Sequence, residues 1–389
     1  MTRILRIASF VLIFFVGVAY SLFFTNNPSK HNTESNEEIV QIFDLTSKNC
    51  SESKERTKYI VCYKKNLEKG VKTFGLKPMM AELENRYLYS VDFDRGGINQ
   101  CHDVAHAVGQ TAGAYSKDLN KTILECPNIC TSGCFHGVVE GAISTGYKIL
   151  DNIGILCKNQ INGVEASTNS DCFHGLGHGV ADLSGFDLTQ SLKYCDLIDS
   201  TEGQRNCGAG VIMELYEPSS FDHALLEFPD DIAKFCGTLW GTYAETCYIT
   251  AGTHAYIRNN SEQESVNACI SVPSSFVGGC VSALGQNMFF VYQGDNKKLE
   301  TFCTQYLKNY LKECYSGVLE SSVMSDPLVR KGVEICSSFD PIKSKECFDA
   351  IVLRMNSSNR AEKINDICNI LSSDKKEICL DSVNKTKQQ

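Results

Sequence analysis

The sequence predicts an all-α protein built from disulfide-stapled helical hairpins. Three observations carry this. Cysteine pairs recur with a constant gap, the second cysteine of each pair recurs with a longer period, and no segment alternates like a strand. Cys236/Cys247, Cys269/Cys280, Cys303/Cys314, Cys336/Cys347 and Cys368/Cys379 each have ten residues between them. Cys50/Cys62 and Cys195/Cys207 have eleven, and Cys157/Cys172 has fourteen. The remaining cysteines are Cys101, Cys126, Cys130 and Cys134; Cys101 must find its partner among the other three, and the sequence does not say which.

The second cysteines, with Cys101 and Cys134 added, step along the chain by 32 to 40 residues, giving about ten units. That period fits a helical hairpin repeat, either an open α-solenoid or a closed α/α toroid. Within a unit, "PLVRKGVEICSSF" reads as a first helix (A) with Cys336 in its last turn. "DPIKSKE" reads as a polar turn, and "CFDAIVLRM" begins a second helix (B) at Cys347. "KKLETFCTQYL" and "CYSGVLESSV", then "RAEKINDICNIL" and "CLDSV", repeat the scheme. Closing so short a loop contributes ~3 kcal/mol in the chain-entropy model. A single hairpin buries too little apolar surface to stand alone, so the staple matters.

Ahead of the repeats, Arg3 and Arg6 precede an uncharged apolar run from Ile7 to Phe24. The expectation is a cytoplasmic N-terminus at 1–6 and a transmembrane signal-anchor at 7–24. A flexible polar tether at 25–45, the repeat domain at 46–384 and a polar tail at 385–389 complete the chain. Ala19 and Ser21 also form a site for cleavage after Ser21; the eighteen-residue length favours an uncleaved anchor. Twenty cysteines after such a segment point to disulfides and an exported, periplasmic or extracellular domain. A formal net charge of −9 without a basic stripe excludes nucleic acid as a natural partner.

Five of the eight histidines start three consecutive B helices. "CHDVAHAVG" carries His102 and His106, "CFHGVVEGA" carries His136 and Glu140, and "CFHGLGHGV" carries His174 and His178. Each pair is spaced i, i+4 and so shares one helix face. Counted from the cysteine, two pairs sit at +2 and +6 and the first at +1 and +5, so the staples should aim all three at one surface. A helix N-terminus disfavours positive charge, which keeps imidazoles neutral and able to bind metal. Gly137, Gly141, Gly175 and Gly179 remove side chains where neighbouring helices would meet.

A lone His-x-x-x-His is more often packing than ligation; three in tandem favour a metal. The expected ligands are His102, His106, His136, Glu140, His174 and His178, with Glu214 and His254 (both at +7) in a second tier. Glu140 and Asp103 are the candidate catalytic carboxylates. The histidine-rich set suits zinc, copper or iron rather than magnesium or calcium. No Gly-x-Ser-x-Gly elbow or phosphate-binding glycine loop is present. "CPNICTSGC" is the one place suited to thiol exchange or thiolate ligation.

The hairpin staples resemble, in architecture, the cysteine-rich Sel1-like and tetratricopeptide-type repeat proteins. The cysteine gap here is longer, and the usual Sel1 glycine and tyrosine positions are not reproduced. That resemblance implies an interaction surface and no particular chemistry. The helix starts "CFHGVVEG", "CFHGLGHG" and "CYSGVL" are similar to those of lanthionine-synthetase-type α/α toroids. There the inner helices point their N-termini at zinc, held by two cysteines and a histidine. "CHDVAHAVG" resembles the His-Asp step of HD-domain phosphohydrolases, a family that needs another upstream histidine; only His31 lies upstream. Two functions are therefore expected: a membrane-anchored extracytoplasmic metalloprotein, as an enzyme or a metal carrier, or a scaffold that binds a protein or peptide on its concave face.

Overall fold

The computed structural model describes residues 29–386, apart from internal segments at 51–55, 90–96, 158–165, 217–225, 326–329, 339–343 and 353–367 and a few isolated positions. The signal-anchor expected at 7–24 lies outside the described residues, as do His223 and most of "RAEKINDICNIL". Among the described residues no helix is long and apolar enough to cross a membrane.

The described chain is helical, without strands. The helices are α1 (Ser29–Cys50), α2 (Arg56–Phe74), α3 (Leu76–Tyr89), α4 (Gly97–Ala114), α5 (Leu119–Leu124) and α6 (Gly133–Ser144). Then come α7 (Ala166–Leu183), α8 (Leu188–Cys195), α9 (Thr201–Tyr216), α10 (Ile232–Cys236), α11 (Thr242–Asn259) and α12 (Glu262–Ser271). The last are α13 (Ser274–Val291), α14 (Asn296–Tyr306), α15 (Leu311–Ser325), α16 (Arg330–Ser338) and α17 (Ser373–Thr386). Five A helices open on a side-chain cap: Asp118, Asp187, Asp231, Ser261 and Asp295 each accept a bond from a first-turn N–H.

All twenty cysteines are paired, in ten disulfides. The eight pairs legible from spacing all form. The other four pair as Cys101–Cys130 and Cys126–Cys134. The "CPNICTSGC" run therefore holds no free thiol for exchange or ligation. Ten disulfides fit an oxidising, extracytoplasmic setting.

Two expectations are corrected. Much of the tether expected at 25–45 is helix: α1 begins at Ser29. Its Ile39, Phe43, Thr46 and Cys50 are buried at helical spacing, so it docks as the first helix of the array. Arg86 of α3 secures it, reaching Asp44 at 2.8 Å and the Val40 carbonyl at 2.9 Å. Second, of the three histidine-bearing B helices only α6 starts beside its cysteine. α7 begins six residues before Cys172 and α9 six before Cys207, so only in α6 does a histidine occupy the first turn.

The B helices form a row in which each touches the next: α2, α4, α6, α7, α9, α11, α13, α15. The row curls back far enough for α15 to touch the Cys130–Ser132 turn that precedes α6. Three neighbour pairs are zipped backbone to backbone: α4/α6, α7/α9 and α13/α15. A Cβ on Gly137, Gly210 or Gly317 would collide with the carbonyl of His106, His174 or Ser282 respectively. Reciprocally, Gly109, Gly177 and Gly285 lie on the carbonyls of Cys134, Cys207 and Cys314. The seam between α6 and α7 is looser: a Cβ on Gly175 would come 3.1 Å from the Phe135 and His136 backbone, and Gly179 meets the side chains of Val139 and Ile143.

These contacts fix the true register. His106, His174 and Ser282 are equivalent, and so, one turn on, are Gln110, His178 and Gln286. Counting from the cysteine misplaces α4 by about a turn, because Cys101 bonds to Cys130 instead of stapling its own hairpin.

Candidate metal centre

The row brings five imidazoles into one buried cluster. His102 and His106 come from α4, His136 from α6, and His174 and His178 from α7. Ring centroids lie 5.2 Å apart for His102–His136, 5.2 Å for His136–His174, 4.4 Å for His136–His178 and 5.0 Å for His174–His178. His102 and His106 stack more loosely at 6.2 Å. One nitrogen from each of His136, His174 and His178 lies within 4.8 Å of the others, close enough to share one ion.

Hydrogen bonds set the tautomers. A carboxylate only accepts, so His178 Nδ1–H donates to Glu214 Oε2 at 2.5 Å and Nε2 carries the lone pair. His178 Nε2 lies 3.2 Å from His174 Nε2. His102 Nδ1–H donates to the Cys130 carbonyl at 3.1 Å, which also leaves its lone pair on Nε2. His136 Nε2 is buried without a hydrogen-bond partner. An imidazole nitrogen left so in a polar cluster is costly unless something else engages it.

Glu140 is gripped from α4. His106 Nε2–H donates to Oε1 at 3.0 Å and Gln110 Nε2–H to Oε2 at 2.9 Å. The same slot recurs in the other zipped pairs. Glu214 on α9 accepts from His178 on α7, and Glu320 on α15 accepts from Gln286 on α13 at 2.7 Å. The equivalent donors are Gln110, His178 and Gln286, so only one of the three is an imidazole; His106 adds a second bond to Glu140 from one turn earlier.

His136 and His174 are held neutral, as expected, but for a different reason. Burial, then the neighbouring His178, His174, His102 and His106, push His136 well below the usual histidine range. Burial and then His178 and His102 bring His174 down to about 3. The helix dipole is secondary, because His174 and His178 sit well inside α7. Burial raises the Glu140 carboxyl, but charge attraction and a hydrogen bond from His106, with His178 and Gln110, outweigh it and hold the group at about 2.

The six first-tier residues are linked by ring contacts and hydrogen bonds, and of them His136, His174 and His178 bring ligand atoms within reach of one shared ion. Glu214 joins them through His178, as a carboxylate behind the imidazole. His254 does not: α11 buries it with its ring 6.4 Å from that of Tyr216, and burial alone lowers it to about 3. Asp103 is buried on α4, but Glu140 is the carboxylate that binds an α4 imidazole. Sequence reasoning missed Gln110 and the Cys130 carbonyl. The first was readable as the next residue on the His102/His106 face; the second required the disulfide connectivity.

Fold and site define a class: an all-α, disulfide-stabilised helical protein with a buried three-histidine cluster. No family model, curated protein or solved structure matches the chain.

Proposed function

We propose that the protein binds a transition-metal ion outside the cytoplasm, held at the membrane by the apolar segment at 7–24. His136, His174 and His178 are the ligands. One observation carries this reading. Two ligand nitrogens about 2.0–2.1 Å from zinc at a tetrahedral angle are about 3.3 Å apart. His174 Nε2 and His178 Nε2 are separated by 3.2 Å. Glu214 behind His178 completes a carboxylate–histidine arrangement typical of metal ligands.

The all-nitrogen set suits zinc or copper, with iron next. A bound divalent ion supplies Lewis acidity and acidifies a coordinated water. Glu140 is the nearby carboxylate to complete the coordination or accept a proton, while His106 and Gln110 keep it ionised and in place.

Elemental analysis of the full-length oxidised protein tests the proposal. The expected result is about one ion per chain, lost in His174→Ala with helical content retained. Substoichiometric metal, unchanged by His174→Ala, overturns the metal reading and leaves the scaffold reading in its place.

A further inference from the structure

Nine of the ten disulfides span 8 to 15 residues and close a hairpin. Cys101–Cys130 spans 29 and ties α4 to the Cys130–Ser132 turn. Three features mark that turn. Cys130 and Ser132 both adopt left-handed backbone, with φ of 54° and 64°, which non-glycine residues hold only when their surroundings impose it. The Cys130 carbonyl is the acceptor for His102 Nδ1. Gly133 makes room, since a Cβ there would collide with the His102 carbonyl and come 3.2 Å from Nδ1.

The geometry is closed on itself. Cys101 is the chain neighbour of His102, and Cys130 is the residue His102 bonds to. One covalent link therefore fixes both ends of a single hydrogen bond. The turn also touches α6, α7 and α15, so its position is shared with the helices that carry His136, His174 and His178. The His102 ring stands edge-on to His136 at 5.2 Å.

We propose that Cys101–Cys130 is a positioning element of the metal centre, pinning the His102 ring edge-on against the ligand His136 with its lone pair on Nε2. The other nine disulfides are scaffold. This rests on the metal reading, and it divides cysteines of identical chemistry into two roles.

The test is zinc(II) titration of the full-length protein. Cys101→Ser/Cys130→Ser should lose about 10- to 100-fold in affinity, the usual effect of removing an outer-shell partner. Cys303→Ser/Cys314→Ser removes a hairpin staple and should leave affinity unchanged while lowering the melting temperature. In a His102→Ala background the Cys101→Ser/Cys130→Ser change should cost no further affinity. Wild-type affinity in the Cys101→Ser/Cys130→Ser variant, or an equal loss with and without His102, overturns the proposal. Gly133→Ala offers a second route with the disulfide intact: it should displace the turn from His102 and reproduce the loss, and wild-type affinity there counts against the proposal. If wild-type protein binds no zinc, the metal reading itself has failed, which is seen before any variant is compared.

Discussion

Glu214→Gln isolates the hydrogen bond behind a metal ligand. The bond from His178 Nδ1–H to Glu214 Oε2 is 2.5 Å long, and both residues are buried. Glutamine keeps the shape and one acceptor oxygen but removes the charge. Hydrogen bonds to charged groups contribute about 1.5–3 kcal/mol. If that energy orients His178 and raises its basicity, affinity for zinc should fall by roughly 10- to 100-fold, a loss of about 1.4–2.7 kcal/mol. The two ranges agree, so the bond is large enough to account for the whole effect. Glu320→Gln is the matched control. It lies in the same slot of the α13/α15 pair, accepts from Gln286 instead of an imidazole, and should leave zinc affinity unchanged. Competition titration with a chromogenic chelator reads both variants. Equal affinities for wild type, Glu214→Gln and Glu320→Gln would refute the reasoning, because His178 would then not need its carboxylate.

Further outcomes follow from the packing and the charges. Gly137→Ala forces a methyl onto the His106 carbonyl; overpacking at such a contact costs about 1–3 kcal/mol, to be read in urea unfolding. Zinc should act as a clamp, because its ligands straddle the seam between α6 and α7; at 100 Kd it should add about 2.7 kcal/mol of stability, removed again by EDTA. Metal-free protein should lose stability in acid. His174 and His254 are held near 3 in the folded state against about 6.5 unfolded. The unfolded chain therefore binds more protons between those values, so stability is complete above pH ~6.5 and falls towards pH ~3. Each histidine contributes a slope of about 1.4 kcal/mol per pH unit. Replacing His254 with Asn should shorten that limb by one proton in urea titrations at pH 7, 5.5 and 4.5. An unchanged slope would mean that the buried His254 imidazole is not held neutral.

The cysteine spacing by itself determined most of the fold: an all-α hairpin array, with eight disulfide pairs read correctly from their gaps. It also placed six ligand candidates on three consecutive helices, three of which, His136, His174 and His178, bring their ligand atoms together. Spacing succeeds there because a hairpin staple and an i, i+4 face are local relations, fixed by the helix repeat and a short loop. What lay beyond it was non-local. The partner of Cys101, the one-turn displacement of α4 and the grip of Glu214 on His178 depend on how separate helices abut. Glycine-to-carbonyl contact between neighbouring backbones sets that register, and the cysteine count does not. For the same reason His254, at the same offset as Glu214, missed the cluster. α9 is zipped onto α7 and brings Glu214 against His178, whereas α11 buries His254 beside Tyr216.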